Sequence, residues 1–242
     1  MRAVFQTAVR LLFPSRCVGC GALVESDFAL CAQCWRETPF IGGTVCDACG
    51  APLPGADEAV RVECDDCMAT PRPWARGRSA MLYRDKGRAL VLALKHGDRP
   101  EVARLAAPWL ARAARPLLRP DLLVAPVPLH RFKLLRRRYN QSALLARALA
   151  EQTGLEHCPD LLLRRRATAS QDGRSAAERF ANLDGAIAVH PGRKARLVGR
   201  PVLLVDDVMT SGATLAACAE ACRQAQSGEV FVLALARVTK DH

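Results

Sequence analysis

Residues 201–215 read Pro201-Val202-Leu203-Leu204-Val205-Asp206-Asp207-Val208-Met209-Thr210-Ser211-Gly212-Ala213-Thr214-Leu215. Four consecutive apolar residues, Val202 to Val205, read as a strand buried on both faces, as in a parallel sheet. Two carboxylates, Asp206 and Asp207, end it, and a Thr-Ser-Gly-Ala-Thr loop opens the helix that follows, from Ala213 to Gln226. Ligands sit beyond the carboxyl ends of the strands in such folds. Backbone N–H groups, the hydroxyls of Thr210, Ser211 and Thr214, and the helix dipole all converge there, which suits a phosphate. Gly212 lets the backbone come close. Like charge keeps the two aspartates off that phosphate. The vicinal hydroxyls of a ribose, alone or with Mg²⁺, suit them better.

Outward from this segment, apolar runs alternate with amphipathic ones. Val230 to Leu235 is the next strand. Upstream, strands are expected at Ser79 to Tyr83, Leu122 to Pro126, Leu161 to Leu163 and Ala186 to Val189. Helices are expected at Gly87 to Lys95, Glu101 to Arg115, Asn140 to Glu151 and Ser175 to Asn182. This alternation predicts an α/β doubly wound domain over residues 73–242. A linker with Pro71, Pro73 and Gly77 closes what precedes it, residues 1–72.

That N-terminal part holds eight of the eleven cysteines, as four Cys-x-x-Cys pairs: Cys17/Cys20, Cys31/Cys34, Cys46/Cys49 and Cys64/Cys67. Without an export signal, metal accounts for them better than disulfides do. Two residues between cysteines turn both thiolates toward one ion, and two such turns complete a tetrahedral four-thiolate zinc site, closed to water and therefore structural. The simplest pairing is sequential, Cys17, Cys20, Cys31 and Cys34 around one ion and Cys46, Cys49, Cys64 and Cys67 around the other; the sequence does not exclude interleaved pairing. The metal is expected to supply much of the folding free energy of this double zinc-ribbon module. Cys158, Cys218 and Cys222 read as packing thiols.

The segment from Val202 to Thr214 resembles the thirteen-residue phosphoribosyl pyrophosphate signature of type I phosphoribosyltransferases. By that resemblance Thr210, Ser211, Gly212, Ala213 and Thr214 hold the ribose 5-phosphate, and Asp206 and Asp207 hold the 2- and 3-hydroxyls. The six-oxopurine transferases generally carry an acid where Thr210 stands, so that base specificity is not implied. Cys-x-x-Cys pairs followed by such a domain resemble the ComF competence-protein family, associated with DNA uptake and natural transformation, over nearly the whole chain. The likeness includes Pro126-Val127-Pro128, and Arg137-Arg138-Tyr139-Asn140-Gln141 where the family tends to have Arg-Gly-Phe-Asn-Gln, so that Arg138 stands in place of Gly. It also includes Thr168, Gln171, Arg179, Asn182 and Gly185, and Lys95 in a Leu-Lys pattern.

The fold implied is that of a type I phosphoribosyltransferase, a mainly parallel sheet flanked by helices, with an N-terminal zinc-ribbon module. The ligand implied is phosphoribosyl pyrophosphate with Mg²⁺, beside structural zinc. Its pyrophosphate would lie in the loop after Ala125, where Arg137 and Arg138 can neutralise it. Thr168, Gln171 and Arg179 sit in a polar segment able to close as a lid. No residue reads as a catalytic general base.

The chain of 242 residues carries a net charge of +11, unevenly spread. Residues 1–72 hold 6 basic and 9 acidic side chains, whereas residues 73–242 hold 29 and 15. A polyanionic partner is therefore expected on the C-terminal part. Basic clusters recur at Arg131 to Arg138, at Arg164 to Arg166, and at Arg193, Lys194, Arg196 and Arg200. Aromatic residues make up only 5%, which favours salt-sensitive backbone binding over base readout. The family association makes single-stranded DNA the expected partner. Half of the residues are hydrophobic and 24% charged, which excludes a mainly disordered chain. No apolar run reaches the eighteen or so residues of a membrane span, and Arg10 interrupts the N-terminal apolar stretch, so a cytoplasmic protein is expected. Two other readings compete with ligand binding in DNA uptake. One is an active phosphoribosyltransferase of nucleotide metabolism with an unknown acceptor. The other is a scaffold whose zinc ribbons dock a competence helicase or other uptake component beside a vestigial pocket.

Overall fold

The computed structural model describes residues 13–55, 61–129, 138–166, 178, 183 and 185–239. In chain order its strands are β1 (Arg76–Leu82), β2 (Leu123–Pro126), β3 (Glu156–His157), β4 (Leu162–Arg164), β5 (Ile187–Val189), β6 (Val202–Met209) and β7 (Val230–Arg237). The helices are α1 (Ala32–Glu37), α2 (Asp65–Ala69), α3 (Asp85–His96), α4 (Glu101–Ala114), α5 (Gln141–Thr153) and α6 (Ala213–Gln224). The helix expected over Ser175 to Asn182 falls almost entirely outside the described residues.

Five strands form one parallel sheet in the order β1-β7-β6-β2-β3, and β4 and β5 make a separate antiparallel pair. The mainly parallel α/β architecture expected from the apolar runs is the one observed. Val202–Val205 of β6 and Val230–Ala236 of β7 are apolar and buried, because helices cover the sheet on each side. On one side α3, α4 and α5 bring Leu90, Leu94, Leu110, Leu145 and Leu149 onto Leu203, Val205, Phe231 and Leu233. On the other, Leu215, Cys218 and Ala219 of α6 meet Leu123, Leu204, Val232 and Ala234. From β2 the chain runs through α5 to β3, away from β6; from β6 it runs through α6, on the opposite face, to β7. The strand order reverses between β2 and β6. A crevice therefore opens at their carboxyl ends, where Pro126 is paired with Val205.

Three local expectations are corrected. β6 does not stop at Val205 but continues through both aspartates to Met209, because Asp206 and Val208 pair with Ala234 and Ala236 of β7 through their backbones. Gly77 is not in a linker but inside β1. Glu156 and His157 add a short edge strand beside β2 that their mixed polarity does not announce.

The cysteine-rich segments lie against the sheet. Phe40 bridges Met81 in antiparallel fashion, with Ile41 N donating to Ala80 O and Leu82 N donating to Pro39 O, so residues 39–41 cover the free edge of β1. The turn holding Cys46 and Cys49 packs onto the same strand. A Cβ on Gly77 would lie 2.4 Å from Ala48 O, and one on Gly50, whose φ is +70°, would lie 2.6 Å from Ser79 N. Only glycine fits at either place. Asp47 sits in this seam, accepting from Arg76 Nη2 at 2.6 Å and Arg78 Nη2 at 2.7 Å. Burial raises the Asp47 pKa, but hydrogen bonds from Arg78 and Arg76 outweigh it and hold the carboxyl below its ordinary value. This support is present above the carboxyl's unfolded pKa and is lost as pH falls through the lower folded value. Asp47→Ala leaves the mostly buried Arg78 uncompensated. It is expected to cost about 2–4 kcal/mol, read as a lower midpoint of denaturant unfolding at pH 7.

Candidate phosphate site and tetrathiolate centres

The acid pair and the Thr-Ser-Gly loop lie at the crevice. β6 carries Asp206 and Asp207 to the carboxyl end of the sheet, and Thr210 to Gly212 turn the chain into α6. Gly212 has φ +80° and ψ 4°, the left-handed conformation that glycine takes without strain. Thr210 is exposed, Ser211 and Thr214 are partly exposed, and the Ser211 hydroxyl accepts from Ala213 N at 3.4 Å. A small recess is lined by Asp206, Val208, Thr210, Gly212, Ala213 and Thr214. The helix N-terminus, the hydroxyls and the open backbone thus face one place, as an anion requires.

Asp206 and Asp207 differ in their partners. Asp207 is buried and pairs with Lys95 Nζ of α3 at 3.2 Å. Asp206 Oδ1 accepts from Ser142 Oγ at 2.9 Å and from Asp207 N at 2.9 Å. Burial, and then the charge of Asp207, push the Asp206 carboxyl up to about 7, against the pull of the Ser142 hydrogen bond and Lys95. For this group the folded pKa lies above the unfolded one. It therefore destabilises the ligand-free protein progressively as pH rises from the carboxylate range to neutrality. A ligand whose hydroxyls donate to both carboxylates needs Asp206 ionised. A diol-bearing ligand held in this way is expected to bind about tenfold more weakly at pH 6 than at pH 8 through this group. Calorimetry at both pH values checks this, with Asp206→Asn as the variant that removes this step and leaves only the ligand's own ionisation.

Ser142 reaches Asp206 because α5 starts there. Asn140 caps that helix by accepting from Ser142 N at 3.1 Å, and its Nδ2 donates to Val127 O at 3.0 Å. This fastens α5 to the Pro126-Val127-Pro128 segment. Tyr139 OH donates to Leu94 O at 2.8 Å, one residue before Lys95. Arg138 adopts φ +65°, the conformation glycine would favour, so its backbone takes that turn without glycine. Its guanidinium is exposed and pairs with Asp98 at 3.0 Å. The structure therefore brings together Lys95, Asp206, Asp207 and residues 210–214, with Arg138 on the exposed segment leading into α5. Arg137, Thr168, Gln171 and Arg179 lie outside the described residues.

Sequence reasoning passed over Ser142, whose only signal was its place at a helix start beside the Arg-Tyr-Asn-Gln run. It also passed over Arg72 and Arg237. Arg72 Nη1 donates to Ser211 O at 2.9 Å, and Arg237 Nη1 donates to Thr210 O at 2.7 Å. Arg164 belongs to an expected surface cluster, but it is half-buried and within electrostatic reach of Asp206. The charge of the last basic cluster is about half offset, Arg193 pairing with Asp160 and both Arg196 and Arg200 with Glu156.

The cysteines form two groups, Cys17, Cys20, Cys31 and Cys34, and Cys46, Cys49, Cys64 and Cys67, which is the sequential pairing. In each group the four sulfurs lie within 4.8 Å of one another. Cys20 and Cys31 are 3.6 Å apart and Cys49 and Cys64 3.7 Å. A tetrahedron with metal–sulfur bonds of 2.3 Å has edges of about 3.8 Å. Disulfides, at about 2.05 Å, are excluded by the same distances. Backbone N–H groups of Gly19 and Cys31 point at Cys17 Sγ, and that of Cys64 at Cys46 Sγ, as thiolates demand. The donor set fits zinc, closed by four protein ligands. The other three cysteines are buried, and burial pushes the Cys222 thiol up to about 12 and that of Cys218 well above its usual range.

Comparison with known proteins agrees with this geometry. Residues 8–68 match the double zinc ribbon domain. The chain is 31% identical over 234 residues to the DNA utilization protein YhgH of Escherichia coli strain K12, covering 94% of this chain and 99% of that one. It is 29% identical over 231 residues to competence protein F of Haemophilus influenzae, covering 93% and 98%. Among solved structures, a glutamine phosphoribosylpyrophosphate amidotransferase from B. subtilis superposes with a TM-score of 0.40 at 19% identity, over 60% of this chain and 30% of that one. The chain thus spans under a third of that enzyme. No helix among the described residues is long and apolar enough to cross a membrane.

Proposed function

This chain belongs to the family of DNA utilization protein YhgH and competence protein F, and on that premise we propose that it is a phosphoribosyltransferase-like protein that binds phosphoribosyl pyrophosphate with Mg²⁺ and single-stranded DNA, and acts in DNA uptake and use. The observation that carries the ligand is the acid pair at the end of β6, followed at once by the Thr210–Thr214 loop and α6. The first-turn amides of α6 and the hydroxyls of Thr210, Ser211 and Thr214 take the 5-phosphate. Asp206 and Asp207 accept from the ribose 2- and 3-hydroxyls. Mg²⁺, when bound, neutralises the pyrophosphate. Lys95 and Arg138 supply protein cations near the acid pair and the start of α5, and Arg137, Thr168, Gln171 and Arg179 are the further ligand-binding residues of this reading. Lys95 starts from its ion pair with Asp207, so its transfer to pyrophosphate frees Asp207 for the ribose.

The DNA reading rests on the family and on the net charge of +11. With Arg138, Arg193, Arg196 and Arg200 paired to acids, the exposed Arg165 and Lys194 are the better candidates for phosphate contact. Binding by such cations is sequence-tolerant and falls steeply with salt.

The test is calorimetric titration of phosphoribosyl pyrophosphate and Mg²⁺ into the zinc-loaded protein. Saturable binding near one ligand per chain is expected, and none at millimolar ligand would refute the pocket reading. A labelled single-stranded oligonucleotide should be retarded at low salt and released at high salt; failure to retard it at low salt refutes the DNA reading.

A further inference from the structure

Two arginines join the second cysteine cluster to the phosphate loop. Arg72 Nε donates to Cys67 Sγ at 3.4 Å while its Nη1 donates to Ser211 O at 2.9 Å. Arg237, only 5% exposed at the end of β7, reaches Cys49 Sγ with Nη2 at 3.8 Å and Met209 O and Thr210 O with Nη1 at 3.2 and 2.7 Å. The indole of Trp74 fills the space between. Its Nε1 donates to Ala48 O at 2.5 Å, Arg72 lies over its ring at 5.8 Å, and a Cβ on Gly212 would come within 3.1 Å of it. Each guanidinium therefore touches a metal-ligating sulfur on one side and a carbonyl of the loop on the other. Among the described residues no hydrogen bond joins the first cluster to this loop.

Charge gives the contact its direction. Four thiolates around one Zn²⁺ leave a net −2, and two guanidiniums in a low-dielectric seam balance it. Those same cations point loop carbonyls inward, away from the ligand side, so that N–H groups face outward. Without metal nothing fixes the positions of Cys49 and Cys67 Sγ, and the arginines lose acceptors that fix their orientation.

We propose that Arg72 and Arg237 are positioning residues that link the second zinc site to the phosphate loop, so that zinc and the phosphate ligand strengthen each other's binding. This rests on the reading of residues 210–214 as a phosphate loop. By thermodynamic reciprocity, a ligand that orders the loop must slow or weaken loss of zinc from the second site. The first site is not coupled.

The experiment follows zinc release from the full-length, two-zinc protein into a chromophoric chelator, with and without saturating phosphoribosyl pyrophosphate and Mg²⁺, and separately with ribose 5-phosphate. One of the two zinc equivalents should leave about tenfold more slowly when ligand is present, and the other at an unchanged rate. In Arg72→Gln, and in Arg72→Gln/Arg237→Gln where that variant folds, both equivalents should remain bound at the start. Ligand should then no longer slow the second, and calorimetric affinity for phosphoribosyl pyrophosphate should fall at least fivefold. Calorimetric binding to the wild type without any effect on zinc release overturns the linkage alone. No binding of either phosphate ligand overturns both the linkage and the pocket reading. Equal slowing of both equivalents, or slowing that survives Arg72→Gln, overturns the assigned route.

Discussion

Asp206→Ala/Asp207→Ala should lose phosphoribosyl pyrophosphate binding by at least a hundredfold in calorimetry, while its thermal midpoint stays near the wild-type value, because relief of the Asp206 charge offsets loss of the Asp207–Lys95 pair. Hydrogen bonds to ionised groups contribute about 1.5–3 kcal/mol each, so removing the two carboxylates proposed to accept from ribose hydroxyls is expected to cost about a hundredfold or more. For stability the two carboxylates have opposite signs. Asp206 is a carboxyl whose environment favours the proton, through burial and then through Asp207, so its removal relieves a destabilising charge at neutral pH. Asp207 is different, because it balances Lys95 at 3.2 Å. Asp207→Ala alone therefore strands Lys95 near the pyrophosphate side, and a smaller loss than for the double variant is expected. A double variant with weakened binding and a collapsed midpoint would instead mark the pair as structural.

The carboxylate-and-loop segment was legible because its chemistry is contiguous: strand, acids, hydroxyls and glycine follow one another from Val202 to Thr214. The metal-binding character of the cysteines was legible for a similar reason, since each Cys-x-x-Cys turn is local, whereas the choice of sequential over interleaved pairing needed the fold. What escaped depends on contacts across the chain. Arg72 meets Ser211 over 139 positions and Arg237 meets Cys49 over 188, and neither arginine stands in any local pattern. Arg193, Arg196 and Arg200 looked like a phosphate-binding patch because Glu156 and Asp160, the acids that pair with them, lie 33–44 positions away. The strand end was misplaced for another physical reason. Acidic side chains suggest a loop, but the ladder between β6 and β7 is built from backbone groups and runs through Asp206 to Met209. Gly77 was read as a linker signal when its missing side chain is what lets Ala48 O approach β1.

The two zinc sites should differ sharply when each is removed. Cys46→Ser/Cys49→Ser is expected to unfold much of the chain or yield a protein with its thermal midpoint lowered by more than 15 °C and no measurable phosphoribosyl pyrophosphate binding. Cys17→Ser/Cys20→Ser should keep binding within about threefold. A structural zinc site contributes roughly 10–16 kcal/mol in zinc-finger peptides at pH 7, as much as the whole stability of an ordinary domain. How much of that reaches the rest of the fold depends on what each site is packed into. Cys46, Cys49 and Cys67 are buried in the same apolar layer as Leu204, Val232 and Leu215, and the turn that holds them closes on β1 through Asp47, Gly50 and Gly77. Cys20 is exposed and Cys31 partly so. Cys17 and Cys34 are buried, and the first ribbon packs on the core through Val18 and through Trp35 and Phe40 against Trp109 of α4, with rings 4.7–6.0 Å apart. Loss of the first metal therefore frees an outer lobe, and loss of the second opens the layer beneath α6 and releases the loop that α6 begins. Thermal unfolding and calorimetry on the two variants check this together. Equal losses of ligand binding in both would mean that the ribbons support the pocket as one unit, through the seam at residues 39–41 rather than through Arg72 and Arg237.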